Sequence, residues 1–207
     1  MTGHRYSPED ITVIDFDDAV RRRPGMYFGA SMADPRLATC VLGAVVRDAF
    51  HPATRVAASH VPSVVVEITA DLAFSVADDQ AETLAGRDLP KFGYFGSLLT
   101  PVRLASAAAA AVSTETTVEV WRDGRGFRQR LLGLRPAEEP APFAAPGGSG
   151  TRVAYLLDPA YFGSALITAI TAGLDLHGPQ CTERAGPGMV LVRDLRDPDQ
   201  PAEHRLA

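Results

Sequence analysis

The stretch SVVVEITADLAFSVADD, residues 63–79, decides how the chain reads. Two runs of strand-forming residues, with Val65 and Ile68 in the first and Phe74 and Val76 in the second, flank Ala70-Asp71 in the pattern of a tight hairpin. Downstream, TTVEVWRDGRGFRQRLLG (116–133) repeats the pattern with Asp123-Gly124 as its turn. Upstream, DPRLATCVLGAVVRDAFHP (34–52) is helical: a Pro-led start, an apolar face through Leu37, Cys40, Val41 and Val45, and a stop at His51-Pro52. VRLASAAAAAV (102–112) is a second helix by propensity, its small side chains suited to close packing on a sheet. QAETLAGRDLPKFGYFGS (80–97) reads as a loop with one turn of helix, and APFAAPGGSGTRVAYLLD (141–158) as a flexible connection running into a strand. SALITAITAGLDLH (164–177) reads as a late helix and GMVLVRDLRD (188–197) as the final strand, before a polar tail over about 196–207. Hairpins with helices between them predict an α+β fold, a two-layer sandwich with a mixed, mostly antiparallel sheet and helices on one face.

At 207 residues, 46% hydrophobic and 22% charged, the chain has the composition of one ordinary globular domain spanning 1–207. Its net charge of -5 and pI near 5.5 disfavour nucleic acid as a partner. The run Arg21-Arg22-Arg23 before Pro24-Gly25 therefore reads as a helix C-terminus, where cations offset the negative end of the dipole, rather than as a phosphate patch. Cys40 and Cys181 lie far apart, with no CxxC spacing to suggest a metal site or a disulfide scaffold. Neither a signal-type N-terminus nor a run approaching the ~20 apolar residues of a membrane span is present, so no membrane partner and a cytoplasmic location are expected.

In order along the chain, four blocks carry a family signature. ITVIDFDDAVRRRPGMYFGAS (11–31) resembles the opening of the ATPase domain of the DNA gyrase B subunit and other type II topoisomerases, whose pattern is a helix ending in AVRKRPGMYIG. VVVEITADLAFSVADD resembles that family's strand pair leading to a nucleotide-binding aspartate. WRDGRGFRQRLLGLRP resembles its next hairpin, and GSGTRVAYLLDPAYF its strand opening with a Gly-Thr pair. The resemblance implies a GHKL, or Bergerat, fold over nearly the whole chain, with the ligand held between sheet and helices. It also makes the arginine run a helix end inherited from that fold.

The chemistry implied by the resemblance is only partly present. Counting from the RPGMY block puts Gly43 where the family has its general-base glutamate and Arg47 where it has its Mg²⁺-binding asparagine. Glycine accepts no proton, a loss of about 10²–10⁴ in rate, and arginine offers no acceptor oxygen to a cation. The DxGxG form becomes Asp78 followed by Gln80 and Glu82, and Glu82 disfavours phosphate. Between Lys91 and the alanine-rich helix the glycine-rich ATP lid is shortened to FGYFGSLLTPVR. Asp78, Thr151 of the Gly-Thr pair beside Gly150, and Arg128 at the pocket rim match the family, so the adenine half survives while the phosphate half is lost.

Asp78, Thr151, Arg128, Arg47, Gly150 and Val76 are the expected ligand-binding residues. No metal and no cofactor is expected. Asp48, next to Arg47, is expected to face the same cavity as Asp78. Two carboxylates there repel, so one should keep its proton and give an acid beside a base. His51, one turn beyond Asp48, would complete a catalytic set of Asp78, Asp48 and His51. Asp48 pointing to solvent and His51 as a plain helix-end residue stay open.

Three functions follow from the resemblance and its departures. The first is a repurposed domain that binds a small organic molecule in the old adenine pocket and transforms it by proton transfer, as in isomerisation, cyclisation or elimination, in specialised metabolism. The second is a non-enzymatic binder of a drug or metabolite, such as an aminocoumarin. The third is a pseudo-ATPase partner that retains adenine nucleotide. A homodimer stays open beside each.

Overall fold

A computed structural model describes residues 13–51, 61–84, 89–168 and 188–206. Alternation along the first hairpin sets up the two layers. In β1 (Ser63–Ala70), Val64, Val66 and Ile68 are fully buried on one face, while Val65, Glu67 and Thr69 lie on the other. β2 (Ala73–Asp78) returns antiparallel to it, so Phe74, Val76 and Asp78 share the buried face. The second hairpin is β3 (Ser113–Arg122) and β4 (Arg125–Leu132). Its turn places both Asp123 (φ 52°) and Gly124 (φ 79°) in the left-handed region, which the Asp-Gly pair tolerates.

β7 (Ser149–Leu157) joins the two hairpins by pairing with β2 on one side and β3 on the other. β8 (Met189–Asp194) adds to β1 in parallel, the remaining pairs being antiparallel. With the two-residue β5 (Arg135–Pro136) and β9 (Ala202–Leu206), the main order is β5-β4-β3-β7-β2-β1-β8-β9. The fold is thus α+β, a mixed and mostly antiparallel sheet with helices on one face.

α1 (Phe16–Arg22) and α2 (Pro24–Phe28) lead into α3 (Leu37–Phe50), which packs over β1 and β2. α4 (Leu104–Ala111) packs over β3 and β7 and against α1 and α3. Ala107 to Ala110 are all fully buried: over this turn the helix is enclosed on every side, and methyl groups let its neighbours approach. A short α5 (Pro159–Phe162) follows β7. Arg21 is a clasp in this layer. Its guanidinium donates to Asp158 (2.7 Å) and to the carbonyl of Ala111 at the C-terminus of α4 (3.2 Å), and it lies over the Tyr161 ring.

Two expectations are corrected. The polar tail contains β9 (Ala202–Leu206), antiparallel to β8, with Glu203 paired to Arg193. A charged edge strand is polar by design, since charge blunts further pairing, so composition hid it. The connection at 141–158 begins with β6 (Ala141–Ala144), which pairs with β4. Phe143 covers Gly126 so closely that a Cβ there would lie 2.5 Å from the ring. Of the expected late helix, residues 164–168 are not helical and the rest lies outside the described residues, as does Cys181.

Candidate functional site

Asp78 is the last residue of β2, beside Thr151 of β7, on the face that meets the helices. The chain leaving it is pinned from several directions. Thr151 Oγ1 donates to the Gln80 carbonyl (2.6 Å), Gln80 Nε2 to the carbonyl of Ala49 on α3 (3.3 Å), and Ser149 Oγ to the Asp79 carbonyl (3.1 Å). Gly150 permits the close approach of β7 to this turn, because a Cβ would lie 2.4 Å from the Trp121 ring and 2.6 Å from the Asp78 carbonyl oxygen.

Arg103, at the N-cap of α4, reaches into this corner. Its Nη1 donates to Asp78 Oδ2 (2.6 Å) and its Nη2 to Asp78 Oδ1 (2.9 Å), a two-pronged pair. Its other edge faces Glu82, with Nε to Oε1 at 2.5 Å and Nη2 to Oε2 at 3.1 Å, and Nη2 also reaches the Gln80 carbonyl (3.3 Å). Asp78 accepts a third bond from the Gln80 N–H (3.0 Å).

A guanidinium has no acceptor with which to cap a helix. The cap comes from α3 instead, where Asp48 Oδ2 accepts from the Ala105 N–H (3.2 Å). Asp48, Asp78, Glu82 and Arg103, with Ala49, Gln80 and Val102, enclose a cavity of about 10 Å³, roughly the room one water needs.

Burial pushes the Asp48 carboxyl up to about 6, against the Ala105 hydrogen bond and the Arg103 charge; repulsion from Asp78 and Glu82 adds less. Burial also pushes Asp78 up, opposed by the charge and hydrogen bonds of Arg103. Burial works against the Arg103 charge too, but the two carboxylates outweigh it and hold the guanidinium above its ordinary range. Arg103 therefore keeps its proton, and the two-pronged geometry is that of an ionised Asp78. Burial, rather than a neighbouring carboxylate, is the leading cause of the shift at Asp48.

The structure brings Asp48 and Asp78 to one cavity, with Thr151 and Gly150 shaping the turn beside them. Val76 is in the core beneath α3. His51 caps the C-terminus of α3, with its ring edge-on to Phe50, and does not line the cavity. Half-buried Arg47 does not line it either.

Arg128 lies on the opposite face of the sheet. It sits opposite Glu119, one residue from the position that aligns with Thr151 and Asp78, and donates to Glu119 (2.7 Å). Because side chains alternate along a strand, it is removed from the Asp78 cavity. That open face carries a groove of about 210 Å³ between Thr69, Ser75, Glu115, Thr117 and Arg152, with Arg152 held by Glu67.

The residue that sequence reasoning missed is Arg103. In the sequence it is a lone cation at the start of the alanine-rich helix, 21 and 25 residues from Glu82 and Asp78, and nothing local joins them. Among the described residues, no group of three or more His, Cys, Asp or Glu side chains is disposed to hold a metal ion, and no helix is long and apolar enough to cross a membrane. No family model and no curated protein matches the chain.

Proposed function

We propose that this chain is a gyrase-B-like domain that no longer hydrolyses ATP and binds a small organic molecule between its helices and sheet, at the corner shared by Asp48, Asp78 and Arg103. The ionic cluster itself carries this reading. Well-packed apolar residues stabilise a core as well as buried ion pairs do, or better, so stability alone gives little reason to gather four ionisable side chains at one cavity. Perturbed ionisable groups gathered around one cavity are more frequent at binding and proton-transfer sites than elsewhere in folds.

Mg-ATP does not fit these residues. Both Asp78 oxygens accept from Arg103, and the cavity of about 10 Å³ beside them has room for no more than a water, so an adenine ring could reach Asp78 only after Arg103 and its partners moved. Gly43 and Arg47 offer no oxygen at the positions where the resemblance expects the base and the metal ligand. The segment at the lid position is closed on itself and tied to β4. Gly93 N–H donates to the Ser97 carbonyl (2.7 Å), Tyr94 N–H to the Leu99 carbonyl (2.9 Å), and Leu98 N–H to the buried Gln129 side chain (2.9 Å).

Asp48 supplies the acid–base form of this reading. With a pKa of about 6 it holds a proton in a minority of molecules at neutral pH and can give or take one there. Asp78, tied to Arg103, orients rather than acts as a free base. Calorimetric titration with Mg-ATP and with adenosine tests the proposal: neither should give heat, and micromolar binding of Mg-ATP would overturn it.

A further inference from the structure

We infer that the outer edge of Arg103 is a recognition site for the carboxylate of a small organic acid, and that Glu82 holds that edge until the ligand takes its place. This deepens the proposed small-molecule function and rests on it.

The two carboxylates on Arg103 are not equivalent. The Asp78 side chain is 2% exposed and accepts from Arg103 twice and from the Gln80 N–H once. The Glu82 side chain is 27% exposed, and among the described residues its hydrogen bonds go to Arg103 alone. Glu82 opens a single turn of 3-10 helix (Glu82–Leu84) whose other two residues, Thr83 and Leu84, are buried. Its side chain can therefore swing outward while the backbone stays anchored.

Arg103 would not follow. Its side chain is 9% exposed, and Asp78 and the Gln80 carbonyl hold the guanidinium from the inner side. The Nε/Nη2 edge thus stays aimed at the position Glu82 leaves, a preorganised fork matched to a planar carboxylate. Exchange of one carboxylate for another leaves the charge of the cluster unchanged, so the buried guanidinium is never stripped of its second partner. Asp48 lines the same cavity, beside the atoms of a ligand seated there.

The test is titration of the full chain with propionate, with chloride at matched ionic strength as the control, followed by calorimetry and by chemical shifts of the Arg103 Nε–H. The wild type should bind propionate saturably with a shift at Arg103. Glu82→Ala, relieved of the internal competitor, should bind at least tenfold more tightly, and Glu82→Ala/Arg103→Lys should lose that gain.

Equal affinity in wild type and Glu82→Ala would put the anion elsewhere and overturn the inference. Binding by Glu82→Ala alone would make Glu82 a permanent structural partner and overturn it equally. A chloride response equal to that of propionate would show an adventitious anion only. If neutral or cationic small molecules shift Asp48 while propionate does nothing, this inference fails and the proposed function stands. Micromolar Mg-ATP binding removes the proposed function itself.

Discussion

Two arginine–carboxylate pairs lie on opposite faces of the same sheet and differ chiefly in access to water. Arg103 and Asp78, beneath α3 and α4, have side chains 9% and 2% exposed; Arg128 and Glu119, on the open face, are 53% and 12% exposed. On the open face, Arg152, Arg193 and Glu67 extend the same pattern along the strands. Water and salt screen such pairs, and each contributes about 0–1 kcal/mol. Beneath the helices, the surroundings offer few substitutes for a lost partner, so the same chemistry becomes an obligation. A salt bridge therefore marks a site here by its burial and by the convergence of further ionisable groups.

The strongest way to break this contrast is Arg103→Met. It leaves buried Asp78 without its cation, and the loss should be about 3–5 kcal/mol in urea unfolding. Next in size is Asp48→Asn, which keeps an acceptor for the Ala105 N–H while removing a buried charge. The folded-state pKa of Asp48 is raised to about 6 from an ordinary 3.8. The folded protein therefore holds that proton more tightly than the unfolded chain does. Stability from this group rises as pH falls from above 6 toward 4 and is lost as pH rises through 6. At pH 7 or above, Asp48→Asn should be more stable than wild type by about 1–3 kcal/mol, with the gap closing by pH 4. A gap that widens on acidification would reverse the assignment. The smallest effect belongs to Arg128→Ala, at about 1 kcal/mol or less and reduced further by salt, measured as a shift in the urea midpoint.

Both hairpins and the helices at α3 and α4 were legible because each is written locally, as strand-forming runs around a turn or as helical periodicity. β6 and β9 were not. Gly126 invites Phe143 only once β4 is in place, and Glu203 reads as tail until Arg193 lies opposite it. The site divides in the same way. Asp48 and Asp78 were set on one cavity, and Glu82 near them, by matching their positions to the gyrase-B pattern, with Asp48 pointing to solvent left open. Arg103 lies 25 residues from Asp78 along the chain. Its role depends on where α4 begins against the sheet, a tertiary fact without a local signature. The strand parity that carries Arg128 to the other face was present in the sequence, since Arg128 and Phe127 cannot point the same way, but matching by block passes over it.

A double-mutant cycle of Arg103→Met with Asp78→Asn, run beside Arg128→Met with Glu119→Gln, tests most directly whether Arg103 and Asp78 form the buried centre of the site. A coupling above about 2 kcal/mol for the first pair, and below about 0.5 kcal/mol for the second, is the predicted result. Equal and small couplings would contradict the account, because Asp78 would then be free of Arg103 and the pocket open to other ligands.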